Sequence, residues 1–100
     1  MNNAFTSDEF KNLIIDRDKA ERLIVEESII SDTDLEGFDM TNIMFKLCSF
    51  ENCNLTGADF SGSSISGTLF RECPMHGCRF VGSDMTEAIF RDIDLSDSDL

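Results

Sequence analysis

The chain has 100 residues, 41% of them hydrophobic and 28% charged, with 20 acidic against 8 basic side chains and a formal net charge of −12. That length suits one small cooperative domain, the apolar content is that of a folded protein, and so much negative charge repels nucleic acid and excludes direct binding of DNA or RNA. No apolar run approaches the roughly 20 residues of a membrane span and residues 1–7 carry no basic and apolar leader, so the sequence reads as a cytoplasmic protein without membrane contact.

Residues 1–21 stand outside the repeat described below and are expected to form a helical cap. Thr6-Ser7-Asp8-Glu9 has the Thr-x-x-Glu spacing of a capping box, in which hydroxyl and carboxylate each accept from one of the amides left unpaired at a helix start. Phe10, Leu13 and Ile14 follow on one helical face, and the spacing predicts a short capping α-helix over Ser7–Asp18, lying across the open end of what comes next. Leu23 and Val25, two apart, point to one side of an extended segment, so a first irregular turn is expected to start near Arg22.

From Ile30 to Leu100 every fifth residue is large and apolar, fifteen times in succession, a period that fits neither a helix nor a flat strand. Two residues before each of these centres, twelve of the fifteen positions are Ser, Thr, Cys or Ala, so each unit offers one large and one small group to the same side. All six glycines fall two residues after a centre, and Asp32, Asn42, Asn52, Asp92 and Asp97 occupy the same slot. Gly, Asn and Asp tolerate left-handed backbone, so the chain is expected to turn a corner every five residues. Four corners close a coil of 20 residues, coils stack at about 4.8 Å, and about four of them fill residues 22–100. This arithmetic puts Ile30, Phe50, Phe70 and Phe90 in one inward column.

Ala58-Asp59-Phe60-Ser61-Gly62 and Cys53-Asn54-Leu55-Thr56-Gly57, with weaker copies at Ser83-Asp84-Met85 and Ser98-Asp99-Leu100, resemble the A-[DN]-[LF]-x-x units of the pentapeptide-repeat family. The resemblance covers about residues 28 to 100 and implies an all-β fold, the right-handed quadrilateral β-helix. Some members of that family resemble duplex DNA in shape and charge, bind DNA gyrase, a topoisomerase, and protect it from inhibitors.

Four cysteines and one histidine invite a metal site, but Cys48, Cys53, Cys73 and Cys78 all take the small inward position, and five-residue spacing sends the members of each pair to different walls. Zinc needs its sulfurs to converge at about 2.3 Å from one point, and His76 follows a core centre and faces out, so no metal is expected. Cys53 and Cys73 stack on one wall within the Cα separation a disulfide allows, and reduced, buried thiols are the expectation in a reducing compartment. With no catalytic constellation in a cleft, no phosphate loop and no cofactor motif, an enzyme is not expected.

The reading of function is a non-catalytic interaction scaffold for a protein partner. One alternative is the acidic DNA mimic that binds gyrase, against which Arg79 interrupts the column of Asp39, Asp59 and Asp99. The other is a repeat module of a larger enzyme or effector. On the outer surface Ile29, Leu69 and Ile89 are expected to stack on one wall, with Met44 and Leu47 just before it and Arg71 and Arg91 beside it, as a protein-contact patch. No cap pattern follows the last coil, so Phe90, Leu95 and Leu100 mark either a continuing chain or an end-to-end contact that makes a homodimer through the C-terminal coil.

Overall fold

The computed structural model describes residues 3–100; Met1 and Asn2, which the expected cap includes, lie outside the described residues. Chain order is β1 (Asn3–Ala4), α1 (Ser7–Asp16), β2 (Leu23–Glu26), β3 (Ser28–Ser31), β4 (Ile43–Lys46), β5 (Ser49–Glu51), β6 (Leu69–Arg71) and β7 (Ile89–Arg91). All pairing is parallel: one sheet runs β1-β3-β5-β6-β7 and a second pairs β2 with β4. From β3 onward the register advances by 20 residues at each step, Ile30 against Phe50, Phe50 against Phe70, Phe70 against Phe90, whereas β1 joins β3 out of that step, Ala4 against Ile29. The walls without regular strands keep the same step through bridges such as Asp39 to Asp59 to Arg79 to Asp99. Backbone groups of one coil bond the next, as in Leu35 N–H to Asn54 O (2.8 Å) and Asn54 N–H to Thr33 O (3.1 Å), so the product is a β-solenoid of 20-residue coils.

The fivefold pattern has a backbone cause. Every fifth residue from Glu27 to Asp97 has positive φ, between 50° and 73°, six glycines among them. At the glycine corners the carbonyl two residues back accepts from the amide one residue on, as in Ala58 N–H to Leu55 O (3.0 Å), the bond of a turn that needs φ > 0 at its third residue. The slot is wider than Gly, Asn and Asp: Glu27, Leu47, Glu72 and Glu87 occupy it too. Bonds to the next coil, Glu27 N–H to Lys46 O at 2.9 Å and Glu72 N–H to Arg91 O at 3.4 Å, help hold such residues in a conformation that costs about 1–2 kcal/mol outside glycine.

Outward Asp and Asn residues complete the turns. The Asp39, Asn54, Asp59, Asp84 and Asp94 side chains each accept from the amide two residues on at 2.9–3.1 Å. This explains why Asp or Asn precedes the apolar centre: the side chain imitates a backbone carbonyl and fixes the bend. Where the outward residue is instead Ile24, Ile29, Met44, Leu69 or Ile89, the segment is a regular strand.

The core is a continuous stack. The Phe50, Phe70 and Phe90 rings lie parallel at 5.1 Å, Phe60 and Phe80 at 5.6 Å, and the two columns touch edge-on, Phe60 to Phe70 at 5.9 Å. Helix α1 covers the first coil. Its capping box forms as the spacing predicts, with Glu9 N–H to Thr6 Oγ1 at 3.1 Å and Thr6 N–H to Glu9 Oε1 at 2.9 Å, and Phe10 and Ile14 are buried, Phe10 edge-on to Phe50 at 6.0 Å. The helix ends at Asp16, two residues before the expected Asp18, because Arg17 turns extended and its guanidinium caps Ile14 O at 2.6 Å. At the other end Phe90 and Leu95 are only partly covered, and Leu100 is 75% exposed.

Candidate functional site

Four walls result, each defined by its outward residues. The first presents Ile29, Ser49, Leu69 and Ile89 on a continuous ladder. Ser49 therefore stands between Ile29 and Leu69, and only Leu69 and Ile89 are direct neighbours. Ile89 is 50% exposed. Arg71 and Arg91 lie side by side at the wall's edge, and Arg71 pairs with Glu51 at 3.2 Å. Met44 belongs to the fourth wall, between Ile24 and Ser64, and Leu47 to the corner between the fourth and first walls. Leu47 is 67% exposed at φ 54°, with Cδ2 over the Gly67 corner, 3.4 Å from where a β-carbon there would stand. The seven residues thus span the first wall and round the corner at Leu47 to Met44, with an apolar face broken by Ser49 and bounded on its far edge, beside the corners at Glu72 and Asp92, by two arginines.

The third wall is charged but internally paired. Arg79 reaches Asp59 and Asp99, each at 3.6 Å, and Asp39 receives Arg17 at 3.2 Å and Lys19 at 2.5 Å. Partial burial opposes ionisation of Asp39, but hydrogen bonds from Lys19 and from the Thr41 hydroxyl and amide outweigh it and hold the carboxyl well below its usual range. Sequence reasoning placed Arg79 in this column but missed Arg17 and Lys19, which arrive from the cap through tertiary packing. On the second wall His76 is exposed, bonded to Ser96 Oγ at 2.9 Å and 3.4 Å from Asp97.

The four cysteines are buried and free. Each thiol donates to a carbonyl 23 residues earlier, Cys53 to Ile30 O at 3.4 Å and Cys73 to Phe50 O at 3.3 Å among them. Burial pushes the Cys48 thiol up and Cys78 up to about 11, and Cys53 is raised by its hydrogen bond to Cys73 and by burial. These are packing groups whose weak donors meet backbone acceptors. Among the described residues no group of three or more His, Cys, Asp or Glu could hold a metal ion.

A family model of nine pentapeptide-repeat copies matches residues 33–92. The chain belongs to the pentapeptide-repeat family. Its solenoid is accordingly the right-handed quadrilateral β-helix of that family, carrying one short helix at its N-terminal end. Among solved pentapeptide-repeat structures, a trypsin-treated form of QnrB1, described as a plasmid-mediated fluoroquinolone resistance protein, is 25% identical with a TM-score of 0.53, over 75% of this chain and 47% of that one. A second trypsin-treated QnrB1 is 24% identical with a TM-score of 0.50 over the same shares. A pentapeptide-repeat protein of the Arabidopsis thaliana thylakoid lumen is 21% identical with a TM-score of 0.48, over 95% of this chain and 66% of that one. The chain spans about half the length of the QnrB1 forms it matches. No curated protein matches it in sequence. No helix among the described residues is long and apolar enough to cross a membrane.

Proposed function

We propose that this pentapeptide-repeat chain is a non-catalytic interaction module, and that its partner, another protein, docks across the corner formed by Ile29, Met44, Leu47, Leu69, Arg71, Ile89 and Arg91. The observation that carries the reading is the company these residues keep. On a chain of net charge −12, the exposed Leu47 and Ile89, the half-buried Ile29, Met44 and Leu69 and two adjacent arginines occupy neighbouring walls, five of the seven on the molecule's longest strand ladder. A rigid ladder presents them with little ordering cost on binding, and the arginines favour a partner with acidic groups around an apolar contact. Immobilised wild type and a Leu69→Lys/Ile89→Lys variant, challenged with the same host lysate, test it. A partner held by the first and released by the second supports the wall; equal capture refutes it.

A second reading, that the chain acts as a DNA mimic on gyrase, is favoured by the likeness to QnrB1. Against it stand the paired carboxylates of the third wall and the turn-closing role of the Asp side chains, both of which account for acidity without a nucleic-acid-like stripe. A supercoiling assay with DNA gyrase and a fluoroquinolone decides it. Rescue of supercoiling by the chain supports mimicry, and no rescue at a large molar excess removes it.

A further inference from the structure

We propose that the groove between α1 and the open edge of β2 binds an extended basic segment of a partner protein, which adds to β2 as a further strand. The groove holds about 710 Å³. One side is a single helical face, Glu9, Leu13 and Asp16, and the other is Glu21, Leu23 and Ile24. Among the described residues strand β2 has a strand partner on one side only, β4, so its other edge offers main-chain groups to an incoming chain, with Glu26 O already accepting from the Ser28 hydroxyl at 2.9 Å. Ile24, in the middle of that edge strand, is 55% exposed. An unpaired edge beside an apolar groove is where main-chain bonds supply affinity and alternate side chains supply choice.

Charge settles which segment fits. Asp16 and Glu21 have no ion-pair partner among the described residues, and Asp18 adds a third carboxylate at the mouth. The two local arginines are directed elsewhere: Arg17 to Ile14 O, Asp39 and Thr41 O, and Arg22 to Asn42 Oδ1 at 3.5 Å. The groove therefore shows an acidic rim over an apolar floor. From Glu9 to Asp16 the helix rises about 10 Å, the reach of three or four extended residues at about 3.3 Å each. The occupant is thus short, alternating apolar residues that face Leu13 and Leu23 with lysine or arginine at the rim. This site shares no residue with the corner surface, so either can fail without the other.

The probe is a fluorescein-labelled heptapeptide, Val-Lys-Val-Arg-Val-Lys-Val, titrated by anisotropy. Saturable binding is expected, with amide shifts in the wild-type protein centred on residues 23–26. Binding should weaken at least tenfold for an Asp16→Lys/Glu21→Lys variant and for a peptide N-methylated at alternate amides, and stay unchanged in Leu69→Lys. Absence of binding at millimolar peptide overturns the proposal. So does equal binding of the N-methylated peptide, which would reduce the effect to charge attraction, or shifts confined to other walls. Self-pairing of two copies through β2, seen as a dimer that the peptide does not dissociate, also overturns it. The shift map needs no variant, so misfolding of the charge reversal leaves the test intact.

Discussion

Phe70 lies between Phe50 and Phe90, 5.1 Å from each ring, and meets Phe60 edge-on at 5.9 Å. Removing it opens a cavity where the coils above and below cannot close without breaking the 20-residue register. Phe70→Ala is expected to cost about 3–5 kcal/mol, read as a lower denaturation midpoint; an unchanged midpoint would contradict the inward column. Leu47 makes the opposite case. It holds a left-handed backbone that suits glycine while two thirds of its surface stays in water. Relief of that strain exceeds the extra chain entropy glycine brings, so Leu47→Gly should raise stability by about 0.5–1 kcal/mol. A residue that lowers stability at an exposed corner is what a contact surface would retain, and the same substitution should weaken capture of the partner proposed for that corner.

At the scale of elements, helix α1, with Arg17 and Lys19 just after it, is tied to the solenoid by few polar links: Arg17 and Lys19 on Asp39, Arg17 on Thr41 O at 3.1 Å, and Ser7 Oγ on Thr33 Oγ1 at 2.9 Å and Asp32 O at 3.4 Å. Because folding lowers the Asp39 pKa from its ordinary 3.8, the unfolded chain takes up this proton first as pH falls. The contribution is complete above pH 3.8 and is lost as pH drops below it. Glu9, in the capping box, shifts in the same direction through its bond from the Thr6 amide. Denaturation midpoints from pH 6 to 2 should fall steeply below about pH 4 in wild type, and less steeply in Asp39→Asn; parallel curves would mean the clamp contributes nothing. The solenoid was legible because a large apolar centre recurs fifteen times and eleven of the fifteen corners carry the Gly, Asn or Asp that left-handed backbone prefers, and the capping box because both of its bonds lie within four residues. What stayed hidden depends on packing between distant segments. Arg17 ending the helix on Ile14 O, the cap's grip on Asp39, and the groove between α1 and β2 all arise from positions no repeat relates. Ser49 was a different omission, since its place between Ile29 and Leu69 follows from the 20-residue step alone.

For the whole molecule, about 29 × 27 × 23 Å, the two ends differ. The first coil lies under α1, whereas Phe90, Leu95 and Leu100 close the last coil only in part, and β7 has one strand partner. The strict register has one more consequence, for how such a gene can change length. Excising residues 53–72 would join Asn52 to Cys73 and return every later side chain to its old column, whereas losing Thr56 alone would send each following apolar centre out of its column, Phe60 first. Among random deletion variants the soluble survivors should therefore cluster at losses of whole five-residue units, and most at twenty, which alone returns every side chain to its own column.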